Sequence, residues 1–495
     1  MAKLRQLLKE IEMIENAGNL DVDVSGIEYN SQNVNRGSVF VAIKGFQRNG
    51  AEFIEEAVEK GAVGVVLEEG TAMLNKIGAK AGTVVVKNSR KALASLSADF
   101  FGHPSRELDI VGITGTNGKT TIAYILESIL QSAGRKTGVI GTINYRFGRK
   151  VKPAMQTTPE SLDLQKMFRD MADVKIDNCI LEVSSHSLTL DRVYKTDFSV
   201  GVFTNLTQDH LDFHHTEEDY FKAKEKLFLE YNLKKAVINV DDPYGKMISK
   251  KTSAETITIG IIEKSDIQAS NIETSINGIQ FTAQTPEGEV RIVSGLLGGH
   301  NVYNILCAIG TAIALGISLE EIKRGIGGLQ NVPGRLEKID EGQDFTVAVD
   351  YAHTDDALKN VLKAARELTD KRLILVFGCG GNRDRGKRPK MGKIAGEYSD
   401  YTIITSDNPR NEEPASIASE IEQGIKKVAD NGKYSIILDR KKAIRQAINM
   451  ARKEDFVVIA GKGHENYQLF KDRRIHFDDC ITARELINEK LSMIN

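Results

Sequence analysis

The sequence predicts an α/β protein of three domains in series, with mostly parallel sheets. Two observations predict it: the length, and a recurring alternation of short β-branched runs with helical stretches. At 495 residues the chain exceeds what one hydrophobic core serves, and a typical domain of about 150 residues gives roughly three. Buried parallel strands read as short continuous apolar runs, and helices between them cover both faces of the sheet.

Taken in order, SVFVAIKG (38–45) and AVGVVLEE (62–69) read as strands and AEFIEEAVEKG (51–61) as a helix. A second block opens with DIVGI (109–113), then a Gly/Thr loop and the helical pattern TIAYILESILQSAG (121–134). NCILEV (178–183), FSVGVFTN (198–205) and KAVINV (235–240) follow as further buried strands. NVPGRLE (331–337) joins Pro and Gly in a turn that closes this block. Alternation then restarts with FTVAVD, RLILVFG, YTIITSD, YSIIL and DFVVIAG, spread over 345–461. This is a second doubly wound unit, whose ligands should collect at the carboxyl ends of its strands.

Composition narrows the class. The chain is 41% apolar and 27% charged, with 66 Lys+Arg against 68 Asp+Glu. A net charge of −2 supplies no global field for nucleic acid. No apolar run approaches the roughly 20 residues that cross a bilayer, and the N-terminus lacks the apolar core of a signal peptide. Cys179, Cys307, Cys379 and Cys480 form no CxxC pair, so reduced, buried cysteines in a soluble cytoplasmic protein are expected.

Gly112-Ile-Thr-Gly-Thr-Asn-Gly-Lys-Thr120, followed by Thr121, is the most specific signal. It lies between an apolar strand and a helix, the setting of a phosphate-binding loop. Gly115, Thr116, Asn117 and Gly118 would turn backbone N–H groups toward phosphate oxygens at a helix N-terminus. Lys119 would reach the β- and γ-phosphates, and the Thr120 hydroxyl would ligate Mg2+. The spacing departs from GxxxxGK[ST], because Ile stands at 113 and the glycine at 112.

Glu182 ends the strand NCILEV, where a Mg2+ ligand would stand, though an exposed strand-end acid is an equal reading. His210, His214 and His215 fall within six residues of a chain that holds nine histidines, which suggests a site or a histidine-bearing loop. Lys224 reads as an ordinary helix-surface lysine. In TSDNPR (405–410) the proline ends regular structure and puts Arg410 at the carboxyl edge of the last sheet. Arg binds a carboxylate through two parallel N–H···O bonds; a solvated Arg on an Asp-Pro turn is the alternative. GCGGNR (378–383) is not the GxGxxG fingerprint and gives no evidence for NAD.

Together TGTNGKTT, EVSSHSL, TNLTQDHLDFHHTEEDYFKAKEKLF, GGHNVYNILCA, NVPGRLE, VDYAHT and GKGHE resemble the Mur ligase family in order and over nearly the whole chain. The resemblance implies a small N-terminal α/β UDP-binding domain (1–100), a central P-loop ATPase domain (101–333) and a C-terminal Rossmann-like domain for the amino acid (334–495). It implies peptidoglycan synthesis: ATP-driven joining of meso-diaminopimelate to UDP-MurNAc-L-Ala-D-Glu through an acyl phosphate, by a monomer using two Mg2+ ions, with no nucleic-acid or membrane partner. Lys224 aligns with a carbamylated lysine that would hold one Mg2+ with His210, while Thr120 and Glu182 hold the other.

Asn304, Arg335 and Asp350 match nucleotide contacts, with Arg335 near the phosphates. Ser31, Thr157, Thr158, Ser184 and Arg192 match the UDP-muramoyl-peptide site. Arg383, Asp407, Asn408, Pro409, Arg410, Gly461 and Glu465 match contacts to diaminopimelate, and DNPR resembles the signature that selects it over lysine. Closure of the C-terminal domain is expected to assemble the site. Asp355 stands where the family commonly has Pro, and Leu190 where some relatives have Gln; the first perturbs local turn chemistry and the second one sugar contact, and neither touches the metals or the phosphate loop.

Overall fold

A computed structural model of the chain describes residues 2–45, 48–70, 77, 80–207 and 209–494. Gln208, within the histidine-bearing motif, lies outside the described residues. The chain divides into two compact units: Met1–Ser265 with Cys307–Ser318, and Asp266–Leu306 with Leu319–Asn495.

The first unit begins with a five-stranded sheet. Its strands are β1 (Met13–Ala17), β2 (Gly26–Glu28), β3 (Ser38–Val41), β4 (Gly64–Glu68) and β5 (Gly82–Val86), in the order β1-β5-β4-β3-β2. All neighbours are parallel except β1 on β5. Helix α1 (Ser89–Phe100) starts where the Asn88 side chain accepts from the N–H groups of Arg90 and Lys91, satisfying donors that a helix start leaves orphaned. Its Leu93 and Leu96 share a core with Val39, Val41, Val84 and Leu162.

The same unit continues through β6 (Asp109–Thr114), α2 (Lys119–Ser132), β7 (Thr137–Ile140), β8 (Asn144–Phe147), β9 (Lys150–Pro153), α3 (Ser161–Asp173), β10 (Asn178–Glu182), α4 (Ser185–Thr189), β11 (Val200–Phe203), α5 (Glu217–Leu229), β12 (Lys235–Asn239) and β13 (Glu255–Gly260). These strands lie in the order β9-β8-β7-β10-β6-β11-β12-β13. Parallel register sets Glu182 opposite Ile113 on one side of β6, and Phe203 opposite Thr114 on the other. The carboxyl ends of three strands therefore meet where the chain switches direction across the sheet, the position at which such folds hold ligands.

In the second unit β14 (Ile267–Ser275), β15 (Gly278–Thr285) and β16 (Gly288–Ser294) form an antiparallel meander. A doubly wound sheet follows: β17 (Glu337–Ile339), β18 (Thr346–Asp350), α6 (Asp355–Arg366), β19 (Leu373–Phe377), α7 (Lys387–Tyr398), β20 (Tyr401–Ile404), α8 (Pro414–Ile425), β21 (Tyr434–Ile436), α9 (Arg440–Met450) and β22 (Phe456–Ala460). Its order is β17-β18-β22-β19-β20-β21, parallel apart from the edge strand β17. A hairpin, β23 (Tyr467–Leu469) with β24 (Arg474–His476), and α10 (Asp479–Ile494) end the chain.

Every strand expected from an apolar run forms, and the α/β class holds. The antiparallel pieces β8–β9, β14–β16 and β23–β24 were not expected. Their alternating or polar strands, such as KVKP and RIH, carry too little apolar signal to stand out. Among the described residues no helix is long and apolar enough to cross a membrane, and the four cysteines are free.

Candidate active site

The phosphate loop connects β6 to α2. Gly115 has φ +145°, and a Cβ there would stand 1.8 Å from Thr204 Oγ1, so only glycine fits. Gly118, at φ +90°, caps α2. The loop is stitched to the segment after β11: Thr116 N donates to Asn205 O (2.8 Å), Asn117 N to Asn205 Oδ1 (3.0 Å), and Thr204 Oγ1 to Asn117 O (2.7 Å). Thr121 is buried in the first turn of α2. Gly112 does not belong to the loop. It lies within β6, where a Cβ would meet the Phe198 ring at 2.7 Å, so the expected departure in spacing reflects a strand-packing glycine beside an otherwise complete loop.

Lys119 folds over its own loop, donating to the carbonyls of Gly115 and Thr116, both at 2.8 Å. Glu182 is 1% exposed, which removes the reading of an exposed strand-end acid. Its Oε2 accepts from Thr120 Oγ1 (3.0 Å) and Thr142 Oγ1 (2.9 Å), and its Oε1 from Thr142 N (3.0 Å). A carboxylate and a hydroxyl beside a helix N-terminus are hard oxygen donors, which fits Mg2+.

Lys224 is also not the surface lysine expected of it. It is 1% exposed, because α5 packs the face carrying Tyr220, Lys224, Leu227 and Phe228 inward. Its Nζ donates to Gly115 O at 2.8 Å and lies 4.4 Å from the Tyr220 ring centroid. Burial, reinforced by the Lys119 ammonium and opposed by Asp209, holds its pKa well below that of a free lysine. Tyr220 OH in turn lies 3.1 Å from Thr116 Oγ1. His210 sits at φ +53° with its ring edge-on to His186, centroids 4.9 Å apart. His186 stacks on Phe213 (4.1 Å), and His214 is buried with Nε2 2.9 Å from Ser185 Oγ. His215 is exposed and stands outside this group.

Beside Glu182, Thr157 Oγ1 is 3.2 Å from Thr142 Oγ1, and Thr158 Oγ1 donates to Glu182 O (2.8 Å) while accepting from Ser184 N (3.1 Å). Arg192 donates to Thr158 O (3.2 Å) and faces Glu160 Oε2 at 3.5 Å, which Arg90 also engages at 2.8 Å. The Nε of Arg192 is buried without a hydrogen bond. Two guanidiniums share the Glu160 carboxylate, and the one that also holds the Thr158 carbonyl is suited to an anionic ligand. Ser31 stands apart from this group, tied to Glu56 Oε2 (2.8 Å) and, through its carbonyl, to Lys60 (3.1 Å).

In the second unit Asp350 ends β18 and is buried. It accepts from Leu336 N and Ala352 N, both at 2.7 Å, and burial raises its pKa against the opposing pull of Arg335. Arg335 lies over the Tyr351 ring at 5.3 Å. Asn304 donates to Asn301 Oδ1 (2.7 Å) within the helix His300–Ala314.

The turn after β20 meets the turn after β22. Gly461, at φ +113°, leaves room for the Asp407 carboxylate; a Cβ there would stand 2.7 Å from Asp407 Oδ2. Asn408 donates to Glu465 Oε2 (2.7 Å). Pro409 is buried, and Arg410 is held at φ +54° with its N–H on Leu469 O (2.9 Å) and its guanidinium on Gly381 O (2.8 Å). Arg383 is exposed on the neighbouring loop, its Cγ 3.8 Å from where a Gly380 Cβ would stand. That loop is braced by the buried Arg388, which pairs with Glu412 and Glu420, and by Glu412, which accepts from Asn382 N. Beneath both turns lies the buried Arg440–Asp479 pair, whose guanidinium also donates to Ala460 O (3.0 Å).

Three family models match the chain: "Mur ligase family, catalytic domain" over residues 23–101, "Mur ligase middle domain" over 113–312, and "Mur ligase, glutamate ligase domain" over 334–463. The chain belongs to the Mur ligase family. A UDP-N-acetylmuramoyl-L-alanyl-D-glutamate--2,6-diaminopimelate ligase of Alkaliphilus metalliredigens is 46% identical, covering 99% of this chain and 98% of its own. The Clostridium tetani protein of that name is 47% identical, covering 98% and 99%. A solved structure bearing the same name is 32% identical, with a TM-score of 0.72 and 99% of each chain covered. MurF from Acinetobacter baumannii shares the fold at 19% identity, with a TM-score of 0.64 and 99% and 98% of the two chains covered.

In this Mur ligase the phosphate loop, Glu182, Lys224, Thr157, Thr158, Ser184 and Arg192 come together in the first unit. Asp407–Arg410, Gly461 and Glu465 come together in the second. Sequence reasoning missed Thr142, Tyr220, His186, Arg90 and Glu160. Only Tyr220 carried a signal, standing four residues before Lys224 on one helical face.

Proposed function

We propose that this Mur ligase is an ATP-dependent amide ligase that adds meso-diaminopimelate to UDP-MurNAc-L-Ala-D-Glu, acting in the cytoplasm as a monomer with three domains at 1–100, 101–333 and 334–495. The γ-carboxylate of the D-glutamyl residue attacks the γ-phosphorus of ATP, and ADP leaves. The resulting acyl phosphate is attacked at its carbonyl carbon by an amine of diaminopimelate. The nitrogen loses a proton, phosphate departs with the bonding electrons, and an amide remains.

The loop N–H groups and Lys119 neutralise charge on the phosphates, with Arg335 in the same role. Asn304 and Asp350 hold the nucleoside. Thr120 and Glu182 would hold one Mg2+; His210 and a carbamylated Lys224 would hold a second. Bound there, the ions offset charge developing on the transferred phosphoryl group. An ammonium cannot ligate a metal, but a buried lysine whose charged form is disfavoured can add to CO2 through its nitrogen, releasing a proton and leaving a carbamate whose two oxygens share one negative charge. Ser31, Thr157, Thr158, Ser184 and Arg192 orient the UDP-muramoyl dipeptide.

What supports a ligase over a simple ATP switch is the burial of Lys224 inside the phosphate loop, on the carbonyl of Gly115. The choice of amino acid rests on Arg410 with Arg383, Asp407, Asn408, Pro409, Gly461 and Glu465, and on the names of the full-length relatives. A guanidinium there pairs with a distal carboxylate that L-lysine lacks. The test supplies purified protein with ATP, Mg2+, UDP-MurNAc-L-Ala-D-Glu and equal diaminopimelate and L-lysine, and weighs the product by mass spectrometry. A diaminopimelyl tripeptide is expected. A lysyl product defeats the amino-acid reading, and ATP consumption with no product defeats the ligase.

A further inference from the structure

We propose that Lys462 is a positioning residue for the incoming amino acid: it fixes the Asn408 amide and the Glu465 carboxylate that grip it. This rests on the amino-acid site described under the proposed function. Lys462 is fully buried, and a buried ammonium is costly unless its three N–H groups find acceptors. It has three: the carbonyl of Tyr467, Asn408 Oδ1 at 3.4 Å and Glu465 Oε2 at 3.4 Å. All three belong to the turns and hairpin that frame the site, so the lysine joins the recognition elements directly.

The consequence is chemical. The two ends of an Asn amide are nearly equal in shape, so their orientation follows the hydrogen bonds offered. Here Oδ1 is drawn to Lys462 and to Leu469 N (3.0 Å), which leaves Nδ2 to donate to Glu465 Oε2 at 2.7 Å. Glu465 Oε2 thus takes two donors, while its Oε1 makes no hydrogen bond among the described residues. That leaves Oε1 to accept from an ammonium group of the substrate, whose adjacent carboxylate the Arg410 guanidinium would take. Without Lys462 the amide is free to reverse, and Glu465 loses its countercharge.

Steady-state phosphate release by the full-length protein reads this out. Lys462→Met should raise KM for diaminopimelate by about tenfold or more, the scale of one lost charge-assisted contact. Its kcat should stay within about threefold, and KM for ATP and for the UDP-dipeptide should hold. Lys490→Met is the control. It removes a lysine that donates to the carbonyls of Ile448 (2.7 Å) and Ala451 (2.6 Å), away from both turns, and should lower Tm without moving any KM. If Lys462→Met does not fold, Lys462→Gln, whose amide still donates to Tyr467 O, is expected to show the same split. An unchanged KM for the amino acid, a parallel rise in all three KM values, or an equal effect of Lys490→Met overturns the proposal. If the unmutated protein prefers L-lysine, the diaminopimelate reading fails by itself, and the same split is read with lysine as the varied substrate.

Discussion

Arg410→Gly separates the fold's needs from the site's. Arg410 is held at φ +54°, where a non-glycine residue costs about 1–2 kcal/mol. Such strain persists where the surroundings demand that side chain at that place. Glycine relieves it, but adds about 0.5–1 kcal/mol of unfolded-state entropy and loses the contact with Gly381 O, worth roughly 1 kcal/mol. These nearly cancel, so Tm should shift by no more than a few degrees. Activity should not be spared. Two parallel guanidinium–carboxylate bonds at about 1.5 kcal/mol each, the low end for charged partners, give about 3 kcal/mol. That is roughly two decades in kcat/KM for diaminopimelate. L-lysine lacks the distal carboxylate that Arg410 would hold, so its kcat/KM should barely move and discrimination should collapse. Phosphate release with each amino acid, beside thermal unfolding, measures both. A variant that keeps kcat/KM for diaminopimelate within threefold, or that unfolds like a core mutant, refutes the reasoning.

Glu182→Gln keeps shape but removes the charge beside Thr120; turnover should fall by roughly 100-fold or more with the Mg2+ requirement moved to higher concentration, checked by magnesium titration. Lys224→Met should abolish the one-CO2 mass increment expected of the unmutated protein in bicarbonate, seen by intact-protein mass spectrometry, together with most turnover. In carbonate-free buffer the same variant should be more stable. A lysine whose folded pKa lies below its unfolded value takes up a proton on unfolding, so stability rises with pH in the window below 10.5, and the gain from Met should be largest at the acid end of that window. Glu412, held down to about 2 chiefly by its bond to Arg388, contributes stability that is present above pH 4.5 and lost as pH falls through about 2. Glu412→Gln should therefore lower Tm at pH 7 and match the unmutated protein near pH 2, as calorimetry across pH would register.

The sequence made the doubly wound sheets and the phosphate loop legible because both depend on short-range pattern. β6, β18, β19 and β22 are mostly apolar runs, and the loop glycines sit where a strand must turn into a helix. What stayed hidden depends on which face of an element turns inward. In sequence Glu182 reads equally as an exposed acid or a ligand; the placement of β10 between β6 and β7 decides it. Thr142 and Lys462 are single polar residues whose meaning lies in partners 40 and 54 positions away.

Lys224 is the instructive case, because the information was present. Tyr220, Lys224, Leu227 and Phe228 recur at the spacing of one helical face, and the other members of that stripe are large and apolar. A lysine surrounded on its own face by such residues has two choices. Its stem can reach past them to solvent, or burial disfavours its charged form. With the Gly115 carbonyl 2.8 Å away and the Lys119 ammonium among its neighbours, the first route is closed. A cation at a core-facing helical position, in a chain that also carries a phosphate loop, is therefore itself a sequence signal for altered amine chemistry. Replacing Tyr220 with Ala should test it: opening the face to water should return Lys224 toward an ordinary pKa and reduce CO2 uptake, read as a smaller adduct fraction at fixed bicarbonate. An unchanged adduct in that variant would mean that burial is not what governs the amine.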